Sequence, residues 1–174
     1  MASAWGLECC GSLWQWQMYP VEIRPASTLR EFEAMYAQRW TVLRYPLKME
    51  GSLQSNQPLL SPVPTAHHLI AVCNQEIVGS ARLCHLTQTL GSLSYVAVSI
   101  EFQRQGIGTR LVQQLLGQAK LAGLSHVRVM AKTDTIPFYQ RLNFQVQGEV
   151  IYYLGIAHQF MLCQISSPST APMT

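Results

Sequence analysis

The 174-residue chain is 48% hydrophobic and 12% charged, a balance that can offset chain entropy by burial and excludes a disordered or tail-like protein. Its length suits one ordinary domain with a single core. The formal charge of +3 comes from scattered Lys and Arg, without the dense basic stripe of a nucleic-acid binder.

Five cysteines, at 9, 10, 73, 84 and 163, form no CxxC pair. An odd set of unclustered thiols fits reduced side chains in a cytoplasmic setting, not a disulfide framework or a zinc site. No apolar run reaches the ~18 residues of a membrane span, and residues 1–20 lack the charged-then-apolar pattern of a signal peptide. No membrane partner is expected.

In chain order, residues 1–19 are rich in Trp, Gly and Cys without a period. They read as an N-terminal extension to a domain at 20–166, which a polar tail at 167–174 follows. Residues 21–25 alternate as a short strand, and Ser27 or Thr28 followed by Glu31 supplies N-cap chemistry for a helix running to about Trp40. Residues 48–65, dense in Ser, Pro and Gln, read as a long loop. Strands follow at 68–72, 77–86 and 93–99, separated by tight turns. From Gly106 to Gly123 the period changes. Ile107, Leu111, Val112, Leu115, Leu116 and Ala119 share one face of an amphipathic helix. A strand at 127–131, a short helix at 135–142 and β-rich runs at 144–153 and 158–165 complete the chain. The fold class is therefore mixed α+β around one central sheet.

The segment that points to chemistry is Gln103-Arg104-Gln105-Gly106-Ile107-Gly108, set between a strand and a helix. A helix N-terminus has unpartnered N–H groups and a positive dipole end, so it can hold a diphosphate. Gly106 and Gly108 leave the amides uncovered, and Arg104 adds a cation at the rim. A Gly pair also serves tight helix–sheet packing. The hexad is neither GxGxxG nor GxxxxGK[ST], so dinucleotide and NTP readings lack their fingerprints.

This hexad resembles the Gln/Arg-x-x-Gly-x-Gly/Ala signature of the GNAT superfamily of acyl-CoA acyltransferases, and it fits every position. The resemblance implies a central, mostly antiparallel sheet of six to seven strands flanked by helices and splayed between the fourth and fifth strands. It also implies acetyl-CoA as donor substrate, no metal, and direct attack by an amine in a ternary complex. The strand Tyr95-Val96-Ala97-Val98 would offer backbone groups to the pantetheine arm, chiefly at Val96, Ala97 and Val98, with the Val98 amide near the thioester carbonyl. Gln103 would stand at the turn's entry, and the amides of Arg104, Gln105, Gly106, Ile107, Gly108 and Thr109 would hold the pyrophosphate. The run Phe138-Tyr139-Gln140-Arg141-Leu142-Asn143-Phe144 approaches a second family signature. It implies Phe138 as a cofactor contact and Tyr139 as general acid for the leaving thiolate, against the alternative of a space-filling core tyrosine. Asn143 stands where Gly is usual, tolerable because Asn also adopts a left-handed C-cap. Lys132 and Thr135 replace the family's usual Asn and Ala. That departure keeps open an idle CoA-binding or regulatory module of the same fold.

His158 lies in Gly155-Ile156-Ala157-His158-Gln159-Phe160-Met161, similar to the Gly-Ile-Pro-His-x-x-Met ending of a GNAT subgroup. It is a candidate catalytic residue or a structural histidine. Residues 38–47 resemble that subgroup's Arg-x-x-Val-Leu-Arg-x-Pro segment. Arg39, Arg44 and His68 are thereby candidate acceptor contacts, with surface ion pairing the alternative for the arginines. His67 and His68, adjacent in a strand, point to opposite faces and do not share a metal. The expected partner is a small-molecule or protein amine, acting on a monomer or homodimer. Cys73, Cys84 and Cys163 read as buried small hydrophobes.

Overall fold

The computed structural model describes residues 20–44 and 66–165, the Arg44 side chain excepted. The expected extension, the 48–65 loop and the polar tail lie outside the described residues.

Strand β1 (Glu22–Pro25) leads into helix α1 (Leu29–Arg39). Thr28 caps α1: its hydroxyl accepts from Glu31 N–H at 3.2 Å, while the Glu31 carboxylate accepts from the Thr28 N–H at 3.2 Å. This reciprocal pairing satisfies donors that a helix start leaves open. The α-helix ends where the sequence suggests, at Arg39 with Trp40 as its C-cap, but a wider π-helical turn carries the winding on through Trp40–Arg44.

Strands β2 (Ala66–Cys73) and β3 (Glu76–His85) form a hairpin whose turn residues, Asn74 and Gln75, both have positive φ. That conformation matches the right-handed twist of paired strands. Strand β4 (Leu90–Val98) follows, then a short 3-10 turn (Ile100–Phe102) and helix α2 (Ile107–Leu121). Strand β5 (His126–Lys132), helix α3 (Ile136–Gln140) and the hairpin β6 (Gln145–Tyr153) and β7 (Ile156–Gln164) end the described chain.

The seven strands lie in the order β1-β2-β3-β4-β5-β7-β6. Every neighbouring pair is antiparallel except β4 and β5. Adjacent strand residues face opposite sides, and β3 shows the result. Gly79 faces Ile107 of α2, whereas Ser80 bonds Arg39 of α1, so the helices flank both faces of the sheet. The predicted α2 stripe is the one buried: Ile107, Leu111, Val112, Leu115 and Ala119 pack on Leu69, Ala71, Leu83, Val127 and Val129. Removing each of the Leu, Ile and Val side chains from water contributes roughly 1.5–3 kcal/mol, and each Ala methyl less. Cys73, Cys84 and Cys163 are buried free thiols. Asn143 has φ +64, the left-handed C-cap expected of it, and delivers Phe144 into the core.

Candidate active site

The site begins where two strands part. Parallel pairing of β4 with β5 stops at Leu93 and Val129, yet β4 continues to Val98 and β5 to Lys132. The sheet is therefore open between its fourth and fifth strands. On the other side of β4 the register with β3 shifts between Ser80 and Arg82, and Tyr95 has φ +53. This irregularity bends the strand and re-aims its groups. Ser99 N–H donates to Val78 at 2.8 Å. Backbone groups alternate sides along a strand, so those of Val98 face away from β3, and its carbonyl accepts from Gln103 Nε2 at 3.0 Å.

Two cavities meet at the opening. One, about 390 Å³, is lined by Val98, Phe102, Gln103, Arg104, Gly106, Ile107, Gly108, Thr109, Phe138 and Arg141. The other, about 240 Å³, is lined by Leu43, Ser94, Tyr95, Met130, Lys132, Tyr153, Ile156 and His158 among others. Val96, Thr135 and Tyr139 line both. These three residues form a common wall through the splayed sheet. Neither lining contains an Asp or Glu.

The larger cavity is built by the turn. Arg104 and Gly106 have φ +64 and +80, and Arg110 N–H closes the first turn of α2 on the Gly106 carbonyl at 3.0 Å. The amides of residues 107–109 precede that bond and so lack an intrahelical acceptor. Gln105 Nε2 donates to the Glu101 carbonyl at 3.1 Å, a second side-chain stitch beside that of Gln103. Gly106 is required by its left-handed backbone, with open space around its missing Cβ. At Gly108 a Cβ would make only ordinary contact with Phe138, 3.6 Å away, so glycine there leaves cavity space free and relieves no clash.

Tyr139 packs edge-on against Phe138 and Phe144, at 4.9 and 5.6 Å between ring centroids. Burial pushes its phenol above the ordinary range, and its hydroxyl has no protein partner among the described residues. His158 is buried, and its Nδ1 lies 2.8 Å from the Ile156 carbonyl. A carbonyl only accepts, so Nδ1 carries the proton in the neutral ring and Nε2 keeps a lone pair.

The remaining predicted residues sit elsewhere. Ala97 is buried without lining either cavity, and Gln105 lies outside both linings. Arg39, far from being a surface ion pair, is 1% exposed under α1. Its Nε donates to Ser80 Oγ at 2.9 Å, and one terminal nitrogen lies 3.4 Å from His68 Nδ1. His68 packs on Phe32 of α1 and lines neither of the two joined cavities. The Arg44 side chain lies outside the described residues. Tyr95 and Leu43 fall in two segments that the resemblance points to, the splayed strand and residues 38–47, without being named as side-chain contacts, and Ser94 is not anticipated. The Tyr95 backbone irregularity has no residue-type signal. Thr135 has one, at the position where the family signature departs. Among the described residues no group of three His, Cys, Asp or Glu is placed to hold a metal ion, and no helix is long and apolar enough to cross a membrane.

The family model described as an acetyltransferase (GNAT) domain matches residues 54–165, more than half of the chain. The chain belongs to the GNAT acetyltransferase family. That membership makes its enzyme class N-acetyltransferase. A provisionally named acetyltransferase of Bacillus subtilis (strain 168) is 27% identical over 100 residues, 58% of this chain and 67% of that protein. The curated relatives it matches are spanned over 41 to 67% of their own lengths. Among solved structures, an acyl-CoA N-acyltransferase from Pseudomonas aeruginosa superposes with a TM-score of 0.70 at 22% identity, over 83% of this chain and 99% of that one. A GNAT acetyltransferase from Elizabethkingia anophelis with acetyl-CoA bound gives 0.62 at 18% identity, over 83% and 97%. At these identities the superpositions show the GNAT fold.

Proposed function

We infer that this GNAT protein transfers an acetyl group from acetyl-CoA to a primary amine by direct attack in a ternary complex. One observation carries the reading: the turn cavity and the seam cavity share Val96, Thr135 and Tyr139 as a common wall. A diphosphate held by the amides of residues 104–109 would send a thioester through that wall, and an amine would meet it from the seam. The P. aeruginosa and E. anophelis neighbours, an acyl-CoA N-acyltransferase and an acetyl-CoA complex, support the donor.

An alkyl amine is charged at neutral pH, and deprotonating it costs on the order of 4 to 5 kcal/mol. The seam cavity has Lys132 and no carboxylate in its lining, an environment that disfavours an ammonium and lowers that cost. The free Nε2 of His158 is the base assigned to take the proton. As the thiolate leaves, Tyr139 donates from a phenol that burial keeps protonated. The thiolate forms in the same dry surroundings, which raise its proton affinity in parallel. The domain assigned to this chemistry is 20–166, with 1–19 and 167–174 outside it.

The test pairs calorimetric binding of CoA with thiol release from acetyl-CoA across an amine panel. Tyr139→Phe is expected to lower turnover about 10²-fold while CoA affinity holds. CoA binding without thiol release for any amine would instead identify an idle CoA-binding module.

A further inference from the structure

Arg24 makes every ion pair found among the described residues, meeting Glu22 and Glu31 at the far edge of the sheet. Two other arginines stand together with no such partner among the described residues. Arg39 is 1% exposed, and one of its terminal nitrogens is buried without an acceptor among the described residues. Arg82, half-buried on β3, donates through Nε to Ser94 Oγ at 3.0 Å. The Arg39 and Arg82 guanidinium carbons stand 5.3 and 4.5 Å from the centre of the Tyr95 ring. Burial, together with the charge of Arg82, pulls Arg39 down to about 10. Two neighbouring cations withdrawn from water are unfavourable unless an anion answers them.

The position of this pair says where the anion comes from. Ser94 and Tyr95, which Arg82 contacts, line the seam cavity, and Lys132 lines it from the facing strand. With Nε taken by Ser94, the terminal nitrogens of Arg82 remain as a planar fork, the geometry that pairs with the two oxygens of a carboxylate.

We propose that the acceptor amine also bears a carboxylate, which docks on the Arg82 guanidinium beside the seam cavity, with Arg39 behind it as a positioning charge. This rests on the acyl-transfer reading of the same cavity and names its substrate class: small amino carboxylates. The Tyr95 ring, itself part of the cavity lining, packs against both guanidiniums, and the carboxylate leaves the amine pointing toward the seam.

The test compares an α-amino acid and a four-carbon ω-amino acid with their carboxamides, their decarboxylated amines and 2-aminoethyl phosphate. Thiol release from acetyl-CoA is the readout. At least one amino acid is expected to exceed its carboxamide at least about tenfold in kcat/KM. Arg82→Gln is expected to erase that advantage by raising KM roughly 10- to 100-fold with little change in kcat. Arg82→Lys should restore part of it, and CoA affinity should hold in both variants. Equal use of acid and carboxamide, preference for the phosphoryl amine, or an unaltered ratio in Arg82→Gln would overturn the proposal. If no amine releases thiol, the acyl-transfer reading fails separately. Calorimetry of amino acid against carboxamide on the CoA-loaded protein then decides this one, with tighter binding of the acid supporting it and equal or absent binding overturning it.

Discussion

His68 shows how one residue records its surroundings. Burial, and then the neighbouring charges of Arg39, Arg82 and His67, lower its pKa from the ordinary 6.5 to about 4. The neutral ring accepts at Nδ1 from Arg39. Because the folded value lies below the unfolded one, the unfolded chain takes the proton first on acidification. The stability this ring contributes is therefore complete above about 6.5 and declines as pH falls toward about 4. The urea midpoint should drop across that window, and His68→Gln should flatten the drop; an equally steep fall in the variant would exclude this ring as its source. Other residues read more directly from sequence. Asn143 at a glycine position announced its left-handed φ, whereas Tyr95, with φ +53 inside a strand, gave no sign.

At the scale of the element, the segment from the 3-10 turn into α2 joins local backbone chemistry to the cavity. Gly106 supplies the left-handed entry, while Gly108 contributes only vacancy. The two glycines should therefore respond differently to substitution. Gly108→Trp places an indole in the turn cavity, and calorimetric CoA binding should disappear while the far-UV circular dichroism of the folded chain persists. Retained affinity would put the cofactor on another surface. The stripe of apolar residues at helical spacing made α2 legible, because that face packs against the sheet. The π-helical extension of α1 was not legible, since Trp40–Arg44 has no capping or breaking residue that distinguishes a wide turn from a helix end.

For the whole molecule, one core spans the sheet and α2, and the seam interrupts it only where β4 and β5 part. Leu115 is fully buried at the middle of that helix face. Leu115→Ala should cost about 2–5 kcal/mol by cavity formation, seen as a lower urea midpoint. The seam lies at a strand end, so CoA affinity measured well below that midpoint should stay close to native. A combined loss of folding stability and of CoA affinity in the folded state would show that core and seam are not separable.

Sequence alone determined the order of elements, the buried face of α2, the burial of Cys73, Cys84 and Cys163, and the amide-rich turn with its family resemblance. Each of these depends on neighbours close along the chain, through period, capping or turn chemistry. Tertiary structure decided the rest. Only the register of β4 against β3 and β5 opened the seam, made Val96, Thr135 and Tyr139 a wall shared by two cavities, and drew Arg39 and Arg82 to one tyrosine ring. Such contacts join residues far apart along the chain, as Arg39 joins Ser80 across 41 positions, and no local pattern encodes which strands will separate.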